Sequence, residues 1–208
     1  APAGTVSADP MHIYTPEGYH DLHAPVHRLQ ANLKTAEGQA LLHSTLRNTD
    51  VLITSFRPTA LTKLGLEWEA LSQQYPRLNM VRIFGDARPE EADHAGHDLT
   101  YQAQAGLTDT GHLPTSLFAD MGGALMVSEA VLQTLLLRGQ SQHGHCLDVG
   151  LFQAAQWLAL PRHWGMTTPE GDVGGAHAGY RMYDCMDGYV AMAALEPHFA
   201  LRLCQAAG

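Results

Sequence analysis

Two short apolar runs constrain the fold more than any other feature of this chain: Asp50-Val51-Leu52-Ile53-Thr54 and Leu78-Asn79-Met80-Val81-Arg82-Ile83-Phe84. Each is strand length and rich in β-formers, so each reads as a buried strand. The segments around them follow a different period. Ala36, Ala40, Leu41, Leu42 and Leu46 fall on one face at helical spacing, and Leu61 to Tyr75 again reads as helix, broken at Gly65. Helix and strand therefore alternate, which implies an α/β layer architecture with a mostly parallel sheet. Further along, a helix is expected from near Asp98, and a turn-rich stretch runs through Pro114. From Asp120 a long helix, apolar on most sides, reaches to near Arg138; such a helix is expected to be buried, with Asp120 at the entrance to a packed interior. Cys146 to Leu151 reads as a strand, an apolar helix follows to Leu160, a glycine-rich loop covers Glu170 to Tyr180, and Tyr189 to Ala194 is a strand. Residues 1–30 have no clear period and read as a connecting segment.

Charge narrows the partners. Acidic residues outnumber basic ones 21 to 12 and the formal net charge is −9, with Lys34 and Lys63 the only lysines. That balance lacks the basic face that nucleic acid requires and disfavours anionic membrane surfaces. No apolar run in the sequence is expected to span a bilayer, which takes about 20 residues. Cys146, Cys185 and Cys204 are odd in number and widely spaced, so neither a disulfide framework nor a zinc ribbon is expected. A reducing cytoplasm fits, and the opening APAGTVSADP has no signal-peptide pattern.

Three acid or imidazole groups merit attention. Asp120 stands in Phe118-Ala119-Asp120-Met121-Gly122-Gly123, directly ahead of two glycines. It reads either as a helix N-cap or as an ionised carboxylate beside a helix N-terminus, with glycines that let a ligand approach the backbone. Such a carboxylate serves as nucleophile or base. His97, in Ala95-Gly96-His97-Asp98, precedes a helix that Asp98 is expected to cap; it is one of 13 histidines, most of which are surface or packing residues. Glu196, in Leu195-Glu196-Pro197, ends a strand and ordinarily faces solvent. The pairs His94 and His97, and His143 and His145, have no third ligand at a metal-binding spacing, so no metal is expected. The glycine-rich loop matches neither a dinucleotide fingerprint nor a P-loop.

Read together and in order, seven short blocks resemble the family III CoA-transferases, the group that includes formyl-CoA transferase, carnitine CoA-transferase and α-methylacyl-CoA racemase. They are Asn32-Leu33-Lys34 through Glu37-Gly38, Asp50-Val51-Leu52 through Phe56-Arg57-Pro58, Lys63-Leu64-Gly65, Pro76-Arg77-Leu78, Gly96-His97-Asp98-Leu99, Ala119-Asp120 with its glycines, and Asp187-Gly188-Tyr189. The resemblance runs from about Asn32 to the C-terminus. It implies a Rossmann-like large domain over residues 1–165, the linker loop and start of a smaller second domain over 166–208, and an intertwined homodimer. The family's opening strand, turn and helix and its closing segment are not matched, so the sequence reads as truncated at both ends. The resemblance further implies acyl-CoA and a carboxylic acid acceptor as substrates, with no permanently bound cofactor. Asp120 takes the position of the catalytic aspartate, and Phe56, Arg57, Lys63 and Leu64 the positions of the CoA site.

The resemblance leads first to transfer of CoA between carboxylic acids through an aspartyl-CoA thioester at Asp120, with the loop at Gly174-Gly175 excluding water. The alternative is racemase-type proton transfer at the α-carbon of a 2-methylacyl-CoA, with Asp120 and His97 on opposite faces and Glu196 orienting His97. Gly96-His97-Asp98 and Glu196-Pro197 resemble the racemase branch. A non-catalytic CoA-binding remnant is the third reading.

Overall fold

The computed structural model describes residues 11–108 and 111–208. Residues 1–10 and 109–110, which belong to the expected N-terminal connecting segment and to the turn-rich stretch, lie outside the described residues. In chain order the elements are α1 (Met11–Tyr14), α2 (Pro16–His23), α3 (Ala36–Leu46), β1 (Val51–Thr54), α4 (Pro58–Leu64), α5 (Trp68–Gln74), β2 (Asn79–Phe84), α6 (Asp98–Ala105), α7 (Phe118–Ser141), β3 (Cys146–Gly150), α8 (Leu151–Leu158), α9 (Leu160–His163), β4 (Tyr180–Cys185), β5 (Gly188–Ala193) and α10 (Pro197–Ala207). The expected alternation is present. β1, β2 and β3 form one sheet in that order, and β1 pairs with β2 in parallel, Val51 opposite Asn79 through Thr54 opposite Arg82.

The chain divides into two compact units, Ala1–Arg82 with Ala130–Leu147, and Ile83–Glu129 with Asp148–Gly208. The first is built on large aliphatic side chains. Leu46, Leu61, Leu66, Leu71, Leu78 and Met80 are buried together, with Trp68 and Tyr75 packed against them. Burial of each such side chain stabilises the fold by about 1.5–3 kcal/mol relative to exposure. A polar clasp aligns the strand starts. Asn79 is fully buried; its Nδ2 donates to the Asp50 carbonyl at 3.2 Å and its Oδ1 accepts the His145 N–H at 3.0 Å.

The second unit has a small-residue core: Tyr101, Ala105, Ala119, Ala155 and Ala159, backed by Leu107, Leu151 and Phe152. Small side chains let helix backbones approach closely, and the glycines after Asp120 serve the same end. A Cβ on Gly123 would lie 2.4 Å from Leu151 Cδ2, and one on Gly122 3.0 Å from Leu158 Cδ1. These glycines therefore seat α7 on α8, and the expectation that they expose backbone to a ligand is corrected.

Other departures have local causes. Part of the expected N-terminal connector is helical, in α1 and α2, because Pro16 at N1 and Glu17 in the first turn start a helix without any apolar period to announce it. The glycine-rich loop ends in a strand of its own: β4 pairs antiparallel with β5, Tyr180 opposite Ala193 and Cys185 opposite Gly188. Expected burial of α7 is also corrected. Met121, Leu125, Leu132 and Leu136 are 61%, 73%, 62% and 71% exposed. By length and composition alone α7 is apolar enough to cross a membrane, a test that core helices of globular proteins also pass, and Asp120, Glu129 and Arg138 lie along it.

Gly38 shows how tightly the first helical turn of α3 is set. Thr35 caps the helix, its Oγ1 accepting the Gly38 N–H at 3.2 Å, while the Asn32 carbonyl oxygen sits 2.0 Å from where a Cβ on Gly38 would lie. Backbone blocks that space, so Gly38→Ala is expected to cost about 1–3 kcal/mol despite alanine's better helix propensity. Urea denaturation checks this, and an unchanged midpoint would refute it.

Candidate active site

Asp98 organises the second unit's site. It opens α6, is 7% exposed, and turns its carboxylate toward another helix. Oδ1 accepts the backbone N–H groups of Ala119 at 2.9 Å and Asp120 at 3.1 Å, and Oδ2 accepts Gln102 Nε2 at 2.5 Å. Gln102, itself fully buried, also donates to the Ser116 carbonyl at 2.9 Å, fixing the turn that leads into α7. An anion on the free N–H groups of a helix start gains from both hydrogen bonds and the helix dipole. Asp98 thus caps α7, not α6 as its sequence position suggests. The N-cap of α6 is His97, whose N–H donates to Thr100 Oγ1 at 3.2 Å while that hydroxyl donates back to the His97 carbonyl at 2.7 Å.

This arrangement releases Asp120 from the capping role that its position suggested. It is the third residue of α7, inside the first turn, and among the described residues its carboxylate has no hydrogen-bond partner. Partial withdrawal from water pushes its pKa up from 3.8, the negative charge of Asp98 pushes it further in the same direction, and the field of His97 opposes both. The Asp120 carboxyl therefore holds its proton more tightly than a free aspartate does.

His97 is exposed at the start of α6, within electrostatic reach of Asp120. Glu196 is exposed too, but it is the N-cap residue of α10, and no hydrogen bond joins it to His97 among the described residues. So Asp120 and His97 come together, and Glu196 does not join them in this chain.

In the first unit, Phe56, Lys63 and Leu64 line one cavity of about 930 Å³, while Arg57, the N-cap residue of α4, is not among its lining residues. The loop Asn32-Leu33-Lys34 also lines it. Gln39 ties that loop to α4, its Nε2 donating to the carbonyls of Leu33 at 2.7 Å and Leu64 at 3.2 Å. Lys34 is the residue that sequence reasoning missed as a cavity residue. Its signal was available: it lies inside a recognised block and is the only lysine besides Lys63. A chain of net charge −9 thus brings both its ammonium groups to one cavity, which suits a phosphorylated ligand.

The sequence pattern of CoA-transferase family III matches residues 26–208. The chain belongs to CoA-transferase family III. It is 28% identical over 188 residues to the alpha-methylacyl-CoA racemase of Homo sapiens, covering 82% of this chain and 49% of the relative. It is 33% identical over 138 residues to the succinyl-CoA–D-citramalate CoA-transferase of Chloroflexus aurantiacus, covering 62% of this chain and 34% of that protein. Among solved structures, a CAIB/BAIF family protein of Brucella suis aligns with a TM-score of 0.68 at 28% identity, covering 79% of this chain and 47% of that one. The chain spans about half the length of the racemases it matches.

Two outcomes test the site's electrostatics. Asp98→Asn keeps the shape but removes the charge and turns an amide toward Gln102, so it is expected to lower stability by about 1–3 kcal/mol, read by calorimetry. Asp120 has a raised folded pKa, so the folded state holds its proton more tightly than the unfolded state does. Its contribution is neutral well below the unfolded value of 3.8, grows destabilising as pH rises from there to the folded value, and is constant above it. Asp120→Asn is accordingly expected to melt higher than wild type at pH 7, by no more than about 2–4 °C. The gain should vanish below pH 3.8; a gain independent of pH would contradict the assignment.

Proposed function

We propose that this chain carries the acid/base pair of an enzyme acting on acyl-CoA thioesters, with Asp120 and His97 transferring a proton at the carbon next to the thioester carbonyl. One observation carries the choice: His97, exposed at the start of α6, lies within electrostatic reach of the Asp120 carboxyl. Proton transfer at carbon needs two groups of unlike character, one taking the proton and one returning it to the other face. In this reading the base removes the α-hydrogen, the electron pair delocalises onto the thioester oxygen, and the partner's proton is delivered to the opposite face of the α-carbon. The CoA portion is read onto the cavity of Lys34, Phe56, Lys63 and Leu64, whose two ammonium groups suit its phosphates. No metal or resident cofactor enters the scheme.

CoA transfer is the second reading, favoured by the unpartnered carboxylate of Asp120, which is what a nucleophile requires, and by the likeness to a CoA-transferase at 33% identity. Here an Asp120 oxygen attacks the thioester carbonyl and expels CoA thiolate, leaving a mixed anhydride. The thiolate then attacks the aspartyl carbonyl, releasing the first carboxylate and forming an aspartyl-CoA thioester. An acceptor carboxylate repeats the sequence in reverse and leaves with the CoA. An intertwined homodimer belongs to both readings, and the exposed Met121, Leu125, Leu132 and Leu136 support it.

The readings separate in deuterated water. A 2-methylacyl-CoA incubated with the protein is expected to take up one α-deuterium, detected by mass spectrometry without any acceptor present. Asp120→Ala should abolish uptake, and His97→Ala should lower it by at least about 100-fold. New acyl-CoA formed only when a carboxylic acid is added, still produced by His97→Ala, would overturn proton transfer in favour of CoA transfer. Full activity in Asp120→Ala would sink both.

A further inference from the structure

Three arginines of the first unit, Arg47, Arg77 and Arg138, gather where β1 and β2 begin. Arg138, on α7, has a side chain only 14% exposed, and its guanidinium donates to Asp50 Oδ1 at 2.8 Å and to the carbonyls of Arg77 at 2.9 Å and Asp50 at 3.3 Å. Its role is to tie helix to strand. In doing so it answers the charge of Asp50, the acidic residue among those lining an adjacent cavity of about 630 Å³. Arg47 and Arg77 line the same cavity. Arg77 Nη1 is steadied by Gln142 Oε1 at 2.9 Å, and the exposed side chain of Arg47 makes no hydrogen bond or ion pair among the described residues.

With Asp50 neutralised by Arg138, two guanidinium charges are left over at one cavity of a chain whose formal net charge is −9. Such a surplus draws anions, and guanidinium forks match oxyanions two bonds at a time. Asn48 and Gln74 add neutral donors to the lining. Two forks with amides beside them offer more donors than the two oxygens of a carboxylate use well, and they fit the three or more oxygens of a phosphate. We propose that this cavity is a binding site for a small phosphate-bearing anion, held by Arg47 and Arg77. It shares no lining residue with the cavity of Lys34 and Lys63. Because Arg47 follows α3 and Arg77 precedes β2, a bound phosphate would bridge two segments that enclose the aliphatic core, and so stabilise the fold by mass action.

The test is calorimetric titration of the chain with inorganic phosphate and, in a second arm, with AMP, against chloride at matched ionic strength. Saturable binding is expected at a Kd of about 1 mM or tighter in at least one arm. The tighter arm tells a free phosphate from a phosphomonoester. Arg47→Gln, which removes no side-chain hydrogen bond or ion pair among the described residues, and Arg77→Gln are each expected to weaken binding about tenfold, while Lys63→Gln leaves it unchanged. Absence of saturable binding in both arms, an unchanged Kd in both arginine variants, or loss of binding in Lys63→Gln would each overturn the proposal.

Discussion

The buried carboxylate of Asp98 is the contact on which the second unit's site depends. It satisfies two backbone N–H groups at the start of α7, holds Gln102, and through Gln102 fixes the turn before that helix. One side chain thereby performs the cap that two separate residues would otherwise supply, and it leaves Asp120 without structural duties. The same charge then acts on Asp120 through space, raising its pKa alongside partial burial. Structure and chemistry are coupled at this point: the anion that builds the helix start also makes its neighbour reluctant to ionise.

Charge is distributed in the first unit by the same economy. The chain has few cations, and the two lysines converge on one cavity while Arg47, Arg77 and Arg138 line another. The lysine-lined cavity fits the proposed CoA contacts at Phe56, Lys63 and Leu64 and adds Lys34 to them. Arg57, named with those residues by sequence resemblance, stands at the N-cap position of α4 outside that lining.

Much of the fold was legible because β1 and β2 are short apolar runs set between helical stripes, and parallel pairing follows from that alternation. What was not legible has physical reasons. Helices α1 and α2 bury none of their residues, so no hydrophobic period marked them. Strand β4 is exposed along its whole length and hid behind the glycines before it. The role of Asp98 was misread because a cap is ordinarily local, whereas this one reaches more than 20 residues ahead to Ala119 and Asp120. Gly122 and Gly123 were misread for a similar reason: their partners, Leu158 and Leu151, lie beyond the next strand. Family resemblance supplied the membership that CoA-transferase family III confirms, but neither that likeness nor periodicity could give the tertiary contact that separates a cap from a free carboxylate.

The most direct test of this account is a carbon-13 NMR titration of the Asp120 carboxyl in the wild-type chain and in Asp98→Asn. The account predicts a midpoint above 3.8 that moves down when the Asp98 charge is removed. A midpoint at or below 3.8, or one indifferent to Asp98, would contradict the coupling between the two carboxylates and the acid/base role proposed for Asp120.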